Sequence, residues 1–198
     1  MAQYLQASVG ASSYVDKLVE LAHAEPTRAE PILARSPSLA TEPSSWGESC
    51  LEAAGHLGHW RLLLRLMEAG VRLDLYAECS LGEPASATAA LRAHGGELLG
   101  IHNLPILHFA VMSRDLSVVE ALLQAGAPVT SSRASLSPLH SAVACGQAAM
   151  AERLLGAGAD PLAQDAFGCS AIDWAIQLYG EDCPLAQLLA RAALVERR

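Results

Sequence analysis

The sequence predicts an all-α fold, a solenoid built from stacked helix-turn-helix units. One interval of 32 residues separates His108 from His140 and Gly126 from Gly158. A fixed period of about this size is typical of stacked helical hairpins, in which one unit cannot bury its apolar face without a neighbour. The composition agrees, because 52% of the residues are hydrophobic but only 5% are aromatic. A core of Leu, Ala and Val favours helices that approach closely through small side chains.

The clearest unit covers residues 137–168 and carries the expected helix boundaries. Pro138 stands where a first helix opens, over 139–145, and Gly146 stands where it closes. A second helix over 150–157 is predicted to end at Gly158. Proline suits a first helical turn because its missing N–H would be unpaired there, and glycine adopts the left-handed conformation that ends a helix.

This unit resembles the ankyrin repeat, whose Thr/Ser-Pro-Leu-His motif opens the first helix of each unit. The match is strongest over residues 104–165 and weaker elsewhere between residues 46 and 190. In that family the hydroxyl residue and the histidine bond to each other and to nearby backbone, so the resemblance implies a structural role for the matching residues. These are Ser137, Pro138, Leu139, His140, His108, Gly126, Gly146 and Gly158. It also implies short β-hairpin fingers between units and degenerate terminal caps.

The whole chain, residues 1–198, is interpreted as a single ankyrin-repeat domain. Gly70 and Gly126 are 56 residues apart, which is one full period and a further 24 residues. A structureless loop of that length is uncommon in a compact domain, so a shortened unit is expected there. The expected segments are an N-terminal helical cap (1–45), repeat one (46–73), shortened repeat two (74–102), repeat three (103–136), repeat four (137–168) and a C-terminal capping repeat (169–198).

The charge and the cysteine content disfavour several classes of function. A formal net charge of −8 disfavours a nucleic-acid-binding surface, which needs clustered Lys and Arg. No stretch reaches the roughly 18 uninterrupted apolar residues of a membrane span, and no secretory leader follows Met1. Five cysteines without a Cys-x-x-Cys pair fit reduced thiols in the cytosol. We therefore expect a cytoplasmic protein, monomeric when free, that binds neither nucleic acid nor membrane.

The sequence contains no recognisable set of residues for catalysis or for binding a cofactor. Glu52, His56 and His59 stand at i, i+4 and i+7, which would place three zinc ligands on one face of a continuous helix. However, Gly58 occupies the expected turn between two helices, so that face is interrupted. Neither a nucleophile elbow nor a phosphate-binding loop occurs in the sequence. The sequence therefore predicts no catalytic, cofactor or metal site and no enzymatic activity.

The resemblance implies that a partner protein binds a concave surface formed by the inner helices and the finger tips. The residue after each motif histidine is expected to point there, as are residues one helical turn later. Aromatic, Met and Arg side chains on such a surface commonly anchor interfaces. The expected partner-binding residues are Phe109, Met112, Ser113, Arg133, Ser141, Gln164, Phe167, Trp174 and Gln177. In the alternative interpretation, Phe109 and Trp174 each fill the core of their own unit.

The expected function is a non-enzymatic scaffold that binds a partner protein, of basic or apolar character, and so neutralises or regulates it. This function would suit a short stand-alone ankyrin-repeat protein of a kind found in bacteria. One alternative is a secreted effector that engages host proteins. Another is an enzyme or ligand-binding protein that uses the irregular N-terminal 45 residues.

Overall fold

The computed structural model describes residues 14–130 and 136–196, and these residues form a chain of paired helices. The predicted all-α class is therefore confirmed. Short 3₁₀ turns cover Pro37–Ala40 and Ile101–Asn103. The α-helices are α1 (Tyr14–Ala24), α2 (Pro26–Arg35), α3 (Cys50–His56), α4 (Trp60–Glu68), α5 (Leu75–Ser80), α6 (Ala85–His94), α7 (Ile106–Met112), α8 (Leu116–Gln124), α9 (Pro138–Ala144), α10 (Ala148–Gly156), α11 (Ala171–Tyr179) and α12 (Pro184–Glu196). Within the described ranges, none of them combines the length and the apolar character that crossing a membrane would require.

The helices stack in two layers with the translational order of a solenoid. The odd-numbered helices α1 to α11 form an inner layer in which each helix packs on the next one. In the outer layer α2 packs on α4, and α6, α8, α10 and α12 pack in sequence. Each helical pair therefore buries its apolar side against neighbouring pairs, as repeat architectures do.

The inner helices α3, α9 and α11 each begin at a serine whose side chain caps the first turn. Ser137 precedes α9 and its hydroxyl accepts the backbone N–H of His140. In the same way, the Ser49 hydroxyl before α3 accepts the backbone N–H of Glu52, and the Ser170 hydroxyl before α11 accepts that of Asp173. In return, the carboxylates of Glu52 and Asp173 accept the backbone N–H groups of the two serines. A capping box of this kind satisfies donors that a helix N-terminus otherwise leaves unpaired. In α3 and α11, a carboxylate thus stands at the position of the motif histidine.

The unit formed by α5 and α6 is shorter than its neighbours. Residues 69–74 connect α4 to α5, whereas the longer stretch 157–170 connects α10 to α11. Because α5 is a short helix, α3 also packs directly on α7. Gly58 lies so close to the α7 terminus that a Cβ atom there would be 3.1 Å from the carbonyl oxygen of Met112. The first and third units therefore contact each other across the short one.

Two apolar clusters divide the core, and they meet within α5. The N-terminal cluster comprises the buried side chains of α1 to α4 and ends with Ala77. The C-terminal cluster begins with Cys79 and runs through α6 to α12. The buried side chains of α5 at this junction are small, and α5 packs on both α3 and α7.

The loops between units are simpler than the expected β-hairpin fingers. In the part of the chain that the structure describes, pairing is limited to isolated bridges, Leu99 with Pro105 and Gln164 with Ser170. In the loop before α11, an oxygen of Asp165 accepts the backbone N–H groups of Phe167 and Cys169. The carboxylate thus satisfies donors that a strand ladder would otherwise pair.

Candidate functional site

Two buried histidines connect successive units of the array. The Ser137 hydroxyl donates to Nδ1 of His140 at 2.7 Å, and Nε2 of His140 donates to the Cys169 carbonyl at 3.1 Å. The Ser141 hydroxyl donates to Nδ1 of His108 at 2.7 Å, and Nε2 of His108 donates to the His56 carbonyl at 2.8 Å. Burial lowers the pKa of His108 to about 4 and also lowers the pKa of His140. Both rings are therefore neutral near pH 7 and link units by hydrogen bonds.

Phe109 and Ser141 do not lie on the surface where partner binding was predicted. Each is only 1% exposed, so the prediction that they contact a partner through free side chains is wrong. The position after the motif histidine faces the packed interior of the inner layer. The Phe109 ring stacks at a tilt beside Tyr76, with 5.0 Å between ring centroids, and the Ser141 hydroxyl bonds to His108.

The other predicted contact residues occupy varied positions. Met112 and Ser113 are half-buried at the end of α7, whereas Gln177 is exposed on α11. Gln164 is exposed, and the Phe167 side chain is 89% exposed at the tip of the loop before α11. Arg133 lies outside the described residues.

Trp174 is half-buried and ties its helix to the preceding loop. Its indole N–H donates to a carboxylate oxygen of Asp165 at 3.0 Å. The ring also packs edge-on against His140, with 5.5 Å between ring centroids. The structure therefore gives Trp174 a role in packing α11, and one side of the ring remains open to solvent.

A groove opens over the inner helices where the short connector 69–74 replaces a longer loop. It consists of two adjoining hollows of 560 and 310 Å³ that share Leu51, Glu52 and Asp74. Phe109 contributes to its floor, so this buried ring still borders the groove. We call this feature the inner groove and define it by six lining residues: Leu51, Glu52, Asp74, Tyr76, Glu78 and Phe109.

The rim of the inner groove is acidic. Asp74 caps α5 through the backbone N–H groups of Tyr76 and Ala77. Although one side of Asp74 is open, the groove walls remove water from its carboxylate, and this burial raises its pKa above the ordinary value. The nearby charges of Glu52 and Glu78 raise the pKa of Asp74 further. Three carboxylates therefore stand above an apolar floor, with Arg72 also at the edge.

One exposed apolar stripe was missed by the sequence reasoning. Trp60, Leu64 and Met67 lie on one face of α4 and are 58%, 37% and 50% exposed. Their spacing of i, i+4 and i+7 is visible in the sequence, but the neighbouring pair Leu62 and Leu63 carries the stronger signal for burial. Those two leucines are fully buried. Only the packing of α4 reveals which of its apolar residues remain outside.

The zinc ligand set considered from the sequence is not assembled. Glu52 bonds to the hydroxyl and the backbone N–H of Ser49. His59 lies beyond the turn, and its Nε2 donates to the carbonyl oxygen of His23 at 3.2 Å. His56 instead points toward Glu48, with 2.9 Å between Nε2 and Oε1. Burial lowers the pKa of His56 to about 4, and this effect outweighs the opposing attraction of Glu48.

Comparison with known proteins places ankyrin repeats in the middle of the chain. Residues 103–133 match a family model described as ankyrin repeat, and residues 122–175 match one described as ankyrin repeats in many copies. The chain is also similar to Zygote-specific protein 3 of Chlamydomonas reinhardtii, with 44% identity over 68 residues. That match covers 34% of this chain and 18% of the algal protein, so the chain spans less than a fifth of this relative's length.

Proposed function

We propose that this ankyrin-repeat protein is a non-enzymatic scaffold that binds a partner protein in the inner groove. Ankyrin repeats are a general indication of protein–protein interaction. The observation that carries the proposal is the groove itself, which has an acidic rim above a floor of the buried Leu51 and Phe109 and the half-buried Tyr76, across α3, α5 and α7. A concave site with an apolar floor and a few convergent polar groups is the kind of place where ligands bind.

The chemistry of the inner groove favours a partner with a basic side chain next to an apolar or aromatic one. An arginine is suited to the rim, because its planar guanidinium pairs with carboxylates through two hydrogen bonds. Such a cation would also relieve the repulsion among Glu52, Asp74 and Glu78 that raises the pKa of Asp74. The net charge of −8 would speed the approach of a basic partner.

A stable complex needs more contact area than the inner groove supplies. A typical interface buries about 800 Å² on each partner. The exposed Phe167 and Gln177 extend the proposed binding surface toward the C-terminal end of the array. In this proposal, the partner makes its main ionic contact in the inner groove and a further apolar contact with Phe167.

The proposed action on the partner is neutralisation or regulation by occupancy. A bound scaffold covers a surface that the partner would otherwise use, and this needs no chemical step. We place the activity in the cytosol, with a free monomer as the binding species. The five cysteines are free thiols, which suits a reducing compartment.

The test compares two charge reversals of the same kind. Glu78→Lys changes the rim of the inner groove, whereas Glu152→Lys changes an exposed carboxylate on the outer helix α10. Partners captured from the source organism by the wild-type protein are identified by mass spectrometry, and the dissociation constant of each is measured by calorimetry. We expect Glu78→Lys to weaken binding about tenfold or more, or ~1.4 kcal/mol, while Glu152→Lys leaves it unchanged.

Three further outcomes distinguish a wrong binding site from a wrong function. Equal affinity of Glu78→Lys and the wild type would reject the inner groove as the central contact. If Phe167→Ala then abolishes binding in a folded protein, the scaffold function stands and the site moves to the C-terminal units. If purified wild-type protein binds none of the captured candidates in calorimetry, the scaffold function itself is rejected.

A further inference from the structure

Glu48 is a buried carboxylate surrounded by histidines from distant parts of the chain. Its side chain is 2% exposed, and it lies in the segment just before α3. His23 comes from the end of α1, His56 from the end of α3, and His102 from the 3₁₀ turn before α7. Within the described residues, the basic side chains within 4 Å of this carboxylate are these imidazoles. Burying a carboxylate costs free energy unless its charge is compensated.

Three ligand atoms converge on one point of this cluster. Nε2 of His56 lies 2.9 Å from Oε1 of Glu48, and Nε2 of His23 lies 3.3 Å from the same oxygen. The two Nε2 atoms are 3.3 Å apart. These three atoms therefore form a small triangle of nitrogen and oxygen donors.

The hydrogen bonds around His23 determine which of its nitrogens faces the triangle. Nδ1 of His23 lies 2.9 Å from the carbonyl oxygen of Val19. A carbonyl oxygen only accepts, so Nδ1 carries a hydrogen, and Nε2 is the ring nitrogen left to serve as a metal ligand. Nε2 faces the Oε1 oxygen of Glu48.

The size of the triangle fits a tetrahedral zinc ion. Zinc–nitrogen and zinc–oxygen bonds of about 2.0–2.1 Å place neighbouring ligands of a tetrahedron about 3.3 Å apart. The observed separations of 2.9, 3.3 and 3.3 Å are close to this value. Two imidazoles and one carboxylate are also a donor set that zinc accepts, and a carbonyl partner on the far ring nitrogen is usual for a ligating histidine.

The surrounding structure holds the ligands in place. The backbone N–H of Glu48 donates to the Ser44 hydroxyl at 3.1 Å, and the Trp46 indole donates to Oε2 of Glu48 at 3.3 Å. His102 reaches the same Oε2 atom, with 3.2 Å to its Nε2. The His102 ring is half-exposed and packs edge-on against His56. His102 therefore marks the solvent side of the cluster, where a fourth ligand would enter.

We propose that His23, Glu48 and His56 form a zinc site, with the fourth position taken by water beside His102. The ion compensates the buried charge of Glu48. Because His23 belongs to α1 and the other two ligands flank or lie in α3, the ion joins the N-terminal helical pair to the next unit. The site is independent of partner binding in the inner groove.

The test titrates the full-length protein after treatment with a chelator and a reducing agent. We expect one Zn²⁺ per chain with a dissociation constant of ~1 μM or tighter, and a higher unfolding temperature in its presence. Co²⁺ should give the visible absorption of a tetrahedral site with nitrogen and oxygen ligands. His23→Asn keeps a donor for the Val19 carbonyl but removes the ligand nitrogen, and Glu48→Gln keeps the shape of the carboxylate.

The variants provide matched controls for this test. Loss of an outer-sphere partner typically weakens metal binding about 10–100-fold, and we expect a loss in this range for His102→Gln. His23→Asn and Glu48→Gln each remove a ligand, so each should weaken zinc binding by more than this. His94→Asn changes an exposed histidine of α6 and should leave the affinity unchanged. Wild-type protein that fails to bind one zinc ion, or equal affinity of His23→Asn and the wild type, would overturn the proposal. A Co²⁺ spectrum with an intense thiolate band would overturn it as well, because the ion would then sit on cysteines.

Discussion

The side chain at the motif-histidine position decides how each inner helix is anchored. His108 and His140 reach across to a carbonyl of another unit, so they couple neighbours. Glu52 and Asp173 at the same position bond only within their own helix start. The histidine units therefore gain an inter-unit hydrogen bond that the carboxylate units lack.

We expect His140 to make stability depend on pH. Burial lowers its pKa below the ordinary value of 6.5, so the folded protein holds the ring neutral. As the pH falls from 6.5 toward the folded pKa, the unfolded chain takes up a proton that the folded chain does not, and the free energy of unfolding decreases. Above pH 6.5 this contribution is fully present. Urea unfolding between pH 7.5 and 5 should show a smaller loss for His140→Gln than for the wild type.

The exposed His94 supplies the control for this pH dependence. His94→Gln should reproduce the wild-type profile, since this exposed side chain of α6 lies outside the buried histidine links between units. Parallel profiles for His140→Gln and the wild type would show that this ring does not contribute.

Gly100 allows the backbone to approach the floor of the inner groove. A Cβ atom at this position would lie 2.8 Å from the Phe109 ring and 3.1 Å from the Tyr76 ring. We expect Gly100→Ala to destabilise the protein by about 1–3 kcal/mol in a denaturant titration, because the rings must shift. Gly156→Ala on α10 meets no atom within 4 Å and should be neutral or stabilising by up to ~1 kcal/mol. Equal effects of the two changes would contradict this account.

At the scale of elements, the outer helices contribute stability according to their position in the stack. Leu122 of α8 and Leu154 of α10 are fully buried between neighbouring units, whereas Leu188 of α12 is only partly buried. In the outer layer, α8 and α10 each pack against an outer helix on both sides, whereas among the described helices α12 packs against an outer helix, α10, on one side only.

We expect Leu122→Ala and Leu154→Ala each to cost about 2–5 kcal/mol, from lost transfer free energy and a residual cavity. Leu188→Ala should cost less. Denaturant unfolding of the three variants measures the difference directly. Losses of the same size at all three positions would count against a stacked array.

At the scale of the whole molecule, α5 joins two parts that have separate apolar clusters. The N-terminal cluster ends at Ala77 and the C-terminal cluster begins at Cys79. In linear arrays, stability is a sum of unit and nearest-neighbour contributions, so two parts with separate apolar clusters can open locally one at a time.

We expect hydrogen exchange to report this division. Leu63→Ala removes a buried side chain of the N-terminal cluster and should accelerate amide exchange in α1 to α4 more than in α9 to α12. Leu154→Ala should give the opposite pattern. Uniform acceleration along the chain in both variants would show that the stack opens as one cooperative unit.

Much of the helical architecture was predictable because it depends on local signals. The two helices expected in the shortened segment occur as Leu75–Ser80 and Ala85–His94, and two further helices lie in the predicted N-terminal cap. Turn glycines and capping residues act within a few residues of themselves, so the sequence displays them directly. The expected fingers are shorter than a regular hairpin: before α11 a single bridge joins Gln164 and Ser170, and the Asp165 side chain bonds to the turn between them.

The repeat period, the helical class and the position of the short unit follow from local spacing, so they can be predicted from the amino-acid sequence. The burial of Phe109 and the convergence of Glu52, Asp74 and Glu78 over one groove follow only from the packing between units. This packing also brings His23 and His56 to Glu48 from separate helices. Such convergence depends on how units of different lengths pack, and contacts between remote segments leave no periodic trace in the chain.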